Sequence, residues 1–214
     1  MTSLILDSIR RTPYIVQNQG TFHPGIGEKM DDVEAVRRLK HGDIGGLETL
    51  IARYQVKAVR TAYLITHDEP LAEDVVQDAF VRLFQRGRNF DESRPFEPYL
   101  MRSVINCALN AIEKNSRWVP MDGCKDSEAL ETLLVRAASV EEQVEFAQLK
   151  DEISTALSCL PPRQRAVIVQ RYYLEMSEKE MAETLDTAPG TIKWLLNTAR
   201  TRLRRLLGSE RSAR

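Results

Sequence analysis

Lys193, Trp194, Asn197, Arg200, Arg202, Arg204 and Arg205 stand on a stretch whose apolar residues, Ile192, Leu196, Ala199, Leu203 and Leu206, recur at helical spacing. Such a helix buries one stripe and offers cations, an amide and an indole to solvent. Ammonium and guanidinium groups neutralise phosphates, whereas an amide or an apolar ring can read a base edge. Just upstream, Ser177 and Glu180 have capping-box spacing, and Met181, Ala182 and Leu185 form one apolar face. Asp186 to Ala188 break that pattern, and Pro189 falls where a first helical turn tolerates proline. The layout is a helix-turn-helix whose second helix suits a DNA major groove.

A second stripe carries the opposite sign. In Glu73-Asp-Val-Val-Gln-Asp-Ala-Phe-Val-Arg-Leu-Phe84, the residues Asp74, Gln77, Asp78 and Val81 share one helical face, because three- and four-residue steps return to the same side. The opposite stripe is apolar. An acidic face backed by a core face reads either as a solvated helix surface or, more sharply, as a docking stripe for a protein.

No constellation for bond-making accompanies these faces. The sequence has no Gly-rich phosphate loop, no His-x-x-x-His pair and no nucleophile elbow. Its carboxylates fall on amphipathic faces, where solvation is their ordinary state. Cys107, Cys124 and Cys159 are odd in number and far apart, and His23, His41 and His67 give no metal spacing with them. The cysteines read as small buried residues in a reducing compartment. The expectation is a non-enzyme with no catalytic residue, no metal and no cofactor.

The chain has 214 residues, 43% of them hydrophobic, and a net charge of −1, which argues against a protein that coats nucleic acid by charge alone. The charge is unevenly placed. Residues 192–214 hold seven Lys or Arg against one Glu, a net +6, while residues 118–145 reach −5. A polyanion partner at one end fits this asymmetry. Asp7 interrupts the apolar Leu4-Ile-Leu6, so no signal peptide is expected, and no run approaches a membrane span. A cytoplasmic location follows.

The elements that must position these faces are all helical. Residues 1–29, with Pro13, Gly20, Pro24, Gly25 and Gly27, read as a flexible arm, and Met30 is a candidate alternative start. A short pattern follows at 31–39. Three longer helices come next: one from an Asp43 N-cap, one after His67-Asp-Glu-Pro70 and ended by Gly87, and one from about Ser93 to Asn115. The acidic stretch 118–139 reads as a linker, with Leu130, Leu133, Leu134 and Ala137 suited to a short helix. A second helical domain opens near Val140. Ala166, Ile168, Val169, Tyr172 and Leu174 mark one of its helices, and the helix-turn-helix closes the chain. The expected fold class is all-α: an N-terminal helical bundle and a C-terminal helix-turn-helix domain joined by an acidic linker.

At this point the residues resemble a known family. Ala72-Glu-Asp-Val-Val-Gln-Asp-Ala-Phe-Val-Arg-Leu-Phe84 is similar to the polymerase-binding helix of extracytoplasmic-function sigma factors. Phe90-Asp-Glu-Ser-Arg-Pro-Phe-Glu-Pro-Tyr-Leu-Met-Arg-Ser-Val-Ile-Asn106 resembles their promoter-melting segment, and Leu160-Pro-Pro-Arg-Gln-Arg-Ala-Val-Ile-Val-Gln-Arg-Tyr172 the start of their second domain. With the helix-turn-helix, four segments agree in order from about Asp31 to Leu207.

The resemblance implies a sigma factor that binds core RNA polymerase and directs promoter-specific transcription initiation. Its domains would be a region 2 domain at 30–117, a linker at 118–139 and a region 4 domain at 140–214. Asp74, Gln77, Asp78 and Val81 would meet core polymerase. Tyr99, Arg102, Asn106, Lys114 and Arg117 would face the minus-ten element, with the loop Gly87–Arg94 helping to hold a base outside the stack. Thr191, Lys193, Trp194, Asn197, Arg200 and Arg204 would face the minus-thirty-five element, Thr191 using its hydroxyl or backbone N–H on a phosphate. An anti-sigma partner fits as well, since exposed polymerase and DNA faces need occlusion when idle.

The chain also departs from the family pattern. Trp194 replaces a small residue, and Leu195 and Thr198 stand where Arg is frequent. Thr187 takes an apolar turn position, and Glu97 and Ile105 occupy places that are commonly basic. Fewer cations mean fewer released counterions and weaker nonspecific affinity. Two other classes share the pattern: a sigma-like DNA-binding regulator without initiation activity, and a helical module that sequesters a partner. Run-off transcription with purified core polymerase separates all three.

Overall fold

The computed structural model describes residues 30–86, 90–91, 94–115 and 153–211, all helix or connecting turn with no strand among them. The expected arm, the linker with its short helix, the onset near Val140 and Arg117 lie outside the described residues. By contacts the chain divides into two compact units, Met1–Ala62 with Pro70–Cys107, and Tyr63–Glu69 with Ala108–Arg214. Each is treated by itself.

In the first unit, α1 (Asp32–Lys40) starts on Asp31, whose carboxylate accepts from the Glu34 N–H at 2.8 Å. Acids in its first turn and bases in its last complement the helix dipole. It ends in a Schellman turn: Gly42 N–H bonds to Leu39 O and Asp43 N–H to Arg38 O, both at 3.0 Å. Gly42 sits at φ +81°, a conformation that costs a side-chain-bearing residue about 1–2 kcal/mol. Asp43 then caps α2 (Ile44–Thr66) by accepting from Gly45 N–H at 2.9 Å. Gly46 lets the two helices approach closely, because a Cβ there would lie 2.4 Å from the Ala35 carbonyl oxygen.

Two further helices follow, α3 (Glu69–Arg86) and α4 (Phe96–Lys114). Pro70 and Pro98 sit in their first turns, where a missing N–H costs nothing. Val75, Val76, Ala79, Phe80 and Leu83 of α3 are buried, as are Leu47, Leu50, Ile51 and Ala58 of α2 and Leu100, Met101 and Val104 of α4. Each large side chain so buried contributes about 1.5–3 kcal/mol. Ile105 is fully buried too, so its departure from a basic family pattern fills the core and does not remove a surface cation.

In the second unit, residues 153–158 are helical and lead through Leu160 to α5 (Pro162–Tyr172), which opens with Pro162 at its first position. Arg165 Nη2 donates to the carbonyls of Ser158 and Leu160, both at 3.0 Å, and fastens this turn. Then come α6 (Glu178–Thr184) and α7 (Pro189–Arg211). Leu157, Leu160, Val167, Ile168, Met181, Ala182, Ile192, Leu195, Leu196 and Ala199 form their common core.

Three expectations need correction here. Tyr172 is 61% exposed and does not mark the buried face of α5, because it lies in the last helical residue beyond the packed seam. Leu195 is not an idle substitute on the DNA face but a core residue, 7% exposed. Cys159 is exposed, since it falls in the turn after residue 158 and not on a packed face. The buried-cysteine reading therefore holds for Cys107 and fails for Cys159.

The turn between α6 and α7 is a second Schellman turn, with Thr187 N–H bonded to Ala182 O at 3.0 Å, but its left-handed residue is Asp186 at φ +47°. Two opposite outcomes follow for chemical or thermal unfolding of the full chain. Gly46→Ala drives a Cβ into backbone and is expected to destabilise by about 1–3 kcal/mol. Asp186→Gly relieves the left-handed strain and is expected to stabilise by about 1 kcal/mol.

Candidate functional site

The stripe on α3 has the arrangement its spacing requires. Asp74 and Asp78 are exposed, Gln77 and Val81 half-buried, and the face behind them is core. Asp78 reaches Arg82 only at 3.9 Å between exposed side chains, an i,i+4 pair worth a few tenths of a kcal/mol. Its charge is therefore little committed within the helix.

Beside the start of α4 lies a cavity of about 540 Å³, lined by Asp32, Val33 and Val36 of α1, Tyr54 of α2, Phe90, and the residues from Arg94 to Pro98. Three aromatic rings build its wall: Tyr54 and Phe96 have centroids 5.5 Å apart, and Phe96 meets Phe90 edge-on at 6.0 Å. Phe90 in turn meets the exposed Tyr99 at 4.8 Å. The Asp32 carboxylate accepts from both Arg53 and the Tyr54 hydroxyl, and Arg53 Nη2 also donates to Met30 O at 2.7 Å. Burial, then the Asp32 acceptor, raises Tyr54 well above the ordinary phenol range, so it stays a proton donor. Glu97 pairs with Lys57, which supplies a cation beside the acid that departs from the family pattern.

Tyr99, Arg102 and Asn106 follow one another by three and four residues on α4, the first two exposed and Asn106 half-buried. Lys114 is exposed at the far end of the same helix. The family resemblance supplied these positions; it did not reveal the cavity, whose walls come from three separate segments.

On α7, Thr191, Lys193, Trp194, Asn197 and Arg204 are exposed and Arg200 half-exposed. Sequence reasoning missed two neighbours of this face. Glu178 of α6 approaches Lys193, Oε2 to Nζ 3.8 Å. Tyr172 accepts a hydrogen bond from Arg200 Nε at 2.9 Å, with the guanidinium carbon 5.7 Å from its ring centroid. Both lie on other helices, so only folding brings them to α7. The capping box is present as spaced: Glu180 N–H donates to Ser177 Oγ at 3.3 Å, and Ser177 N–H to Glu180 Oε2 at 2.8 Å. The Ser177 hydroxyl also donates to Glu180 Oε2 at 2.6 Å, and this bond, with that from the Ser177 N–H, holds the Glu180 carboxyl below its usual range.

Among the described residues no group of His, Cys, Asp and Glu is placed to hold a metal, and no helix is long and apolar enough to cross a membrane.

Comparison with known proteins agrees with this geometry. The sigma-70 region 2 family model matches residues 50–117 and the sigma-70 region 4 model residues 150–203, together more than half of the chain. The ECF RNA polymerase sigma factor SigW of Bacillus subtilis is 27% identical over 176 residues, covering 80% of this chain and 94% of SigW. The ECF sigma-E factor of Escherichia coli is 26% identical over 184 residues, covering 82% and 93%. The solved structure of CnrH in complex with the cytosolic domain of CnrY shares the fold, with TM-score 0.57 at 24% identity over 83% of this chain and 97% of CnrH. The chain is a transcription initiation factor of the sigma-70 type. It belongs to the extracytoplasmic-function sigma factors, which bind core RNA polymerase and direct promoter-specific initiation.

The capping box generates a test of how α6 is held. Ser177→Ala is expected to destabilise the second unit by about 1 kcal/mol in unfolding measurements. Because the folded Glu180 carboxyl is depressed, its contribution is full above the ordinary carboxylate range and fades as pH falls through that range. Glu180→Gln should therefore cost stability at neutral pH and progressively less as pH falls through the depressed folded value, the wild type converging on it as the medium becomes acidic.

Proposed function

We propose that residues 30–117 form the domain that binds core polymerase and the minus-ten element, that 118–139 is a tether, and that 140–214 reads the minus-thirty-five element. The factor acts in the cytoplasm and performs no catalysis of its own. One observation carries the docking assignment: α3 presents the acids Asp74 and Asp78 on a face opposite a continuous buried stripe, so partner contact there leaves the core untouched. With Gln77 and Val81 they offer an acidic, partly apolar strip to a basic element of the polymerase.

For the minus-ten element, Tyr99, Arg102, Asn106, Lys114 and Arg117 are the proposed contacts. The cavity beside them suits a base held out of the stack: Tyr54, Phe90 and Phe96 give aromatic walls, and Asp32 and Arg94 give polar edges. Stacking of one base on such a wall is worth about 1–3 kcal/mol, comparable to what unstacking costs. For the minus-thirty-five element, Thr191, Lys193, Trp194 and Asn197 face the groove, while Arg200 and Arg204 meet phosphates. An anti-sigma protein covering the α3 stripe or the α7 face would keep the idle factor from both partners.

Asp74→Lys with Asp78→Lys places like charge against a basic partner. Affinity for core polymerase is expected to fall by roughly a hundredfold, about 2.7 kcal/mol, with helicity and unfolding temperature unchanged. Binding is read by titration with purified core enzyme, and run-off transcription reads the consequence. Unaltered core binding would remove the docking assignment. Promoter-independent DNA binding without transcripts would leave a regulator that kept only the fold.

A further inference from the structure

We propose that Trp194 is the residue by which α7 selects bases, through apolar contact with a thymine 5-methyl group in the major groove. The inference rests on the reading of α7 as the minus-thirty-five helix and specifies what that helix recognises.

Trp194 is 61% exposed, although the indole is among the largest apolar side chains and the core of this unit is already closed by Ile192, Leu195, Leu196 and Ala199. Its position on the wheel follows from that packing. Burying 192, 195, 196 and 199 turns 193, 194 and 197 outward together, on the N-terminal half of the helix, the part that meets base edges when such a helix enters a groove. The surface around it is basic: between 189 and 207 the chain has Lys193, Arg200, Arg202, Arg204 and Arg205 and no acid. A large apolar ring within a cationic face is complementary to a duplex, whose phosphates flank a groove lined by base edges, better than to an apolar protein patch.

The nearby cations are partly engaged inside the protein. Lys193 has Glu178 only at 3.8 Å across an exposed pair, which commits its charge little, whereas Arg200 is held in place by Tyr172. That leaves Thr191, Trp194 and Asn197 as exposed groups without a charge on the N-terminal half of the helix, and among them only Trp194 offers a large apolar surface. In the major groove the methyl group presented to such an apolar ring is the C5-methyl of thymine, while an amide pairs with adenine N6 and N7. The two side chains, one helical turn apart, therefore favour an A·T-containing step, and the indole is the part that distinguishes thymine from cytosine at one of its pairs.

The experiment uses holoenzyme reconstituted from the full chain and core polymerase, transcribing a template library randomised across the minus-thirty-five element. The wild type is expected to enrich thymine at one or two adjacent positions. Replacing that thymine by deoxyuridine, which lacks only the methyl, should lower template affinity about fourfold, the worth of one buried methyl group. Trp194→Ala should lose both the thymine preference and the deoxyuridine sensitivity, while core binding and the salt dependence of template binding stay unchanged. Trp194→Phe should retain part of each. In a Trp118→Phe background, Trp194 is the sole tryptophan, and its fluorescence should change on addition of the selected duplex.

Several results would overturn the proposal. A thymine preference that survives Trp194→Ala, insensitivity to deoxyuridine, or enrichment of guanine at the Trp194-dependent position would each exclude methyl contact while leaving α7 as a DNA reader. Loss of core binding in Trp194→Ala with unchanged base preference would assign the indole to a protein partner. Transcripts with no minus-thirty-five preference in the wild type would remove the reading of α7 itself, and the inference with it.

Discussion

Packing of Ile192, Leu195, Leu196 and Ala199 with Leu160, Val167 and Met181 sets the roll of α7 about its own axis. Successive side chains on a helix are separated by 100°, so burying that seam leaves no choice about which residues face water. Lys193, Trp194 and Asn197 are exposed because their neighbours are not. The same constraint operates in α3, where Val75, Val76, Ala79, Phe80 and Leu83 turn Asp74 and Asp78 outward. Both proposed binding faces are thus products of core formation. They add little to stability themselves, so their side chains can change with the partner while the seam stays fixed.

Local chemistry has to complete what packing begins, because α6 has only seven residues and an isolated helix of that length is unstable in water. It is held at one end by the reciprocal Ser177–Glu180 bonds, at the other by the Schellman bond to Ala182 O, and along one side by Met181 and Ala182. These contacts together fix the angle at which the chain re-enters α7. The two Schellman turns differ in kind: the one after α1 uses Gly42, which accepts a left-handed backbone freely, whereas the one before α7 uses Asp186. Of these two turns, the one before α7 carries the strain; His67 between α2 and α3 and Glu175 before α6 are left-handed as well.

Helices and faces were legible in the sequence where apolar periodicity was long and punctuated. Asp43, Pro70, Ser93 and Pro189 placed helix starts to within a few residues, and the Ser177–Glu180 spacing anticipated a bond pattern that is present. What escaped were properties that depend on more than one element. Tyr172 reads as core from its apolar ring and lies instead against Arg200, twenty-eight residues away. The cavity wall draws on α1, α2 and the segment before α4, so no single window displays it. Leu195 and Ile105, compared with a family pattern, look like lost cations, yet both are buried. A pattern of types at aligned positions cannot distinguish a missing surface charge from an added core contact; only the depth of the position does.

This last distinction alters how the chain's affinity for DNA should be understood. With Leu195 in the core and Thr198 neutral, α7 brings fewer cations to a duplex than the family pattern, although its own keep their charge: Lys193 meets Glu178 only across an exposed 3.8 Å pair, and Tyr172 is a neutral acceptor for Arg200. Counterion release scales with phosphates neutralised, so the helix alone has a modest electrostatic hold on DNA. A modest hold suffices when a second DNA-reading face is carried on the same chain, because covalent linkage makes the second contact intramolecular and replaces bulk concentration by an effective one in the millimolar range or so. Weak charge attraction at α7 then has a positive consequence. On the proposed reading, nonspecific duplex competes poorly for it, and the uncharged groups Trp194 and Asn197 would account for a larger share of the discrimination between one site and another.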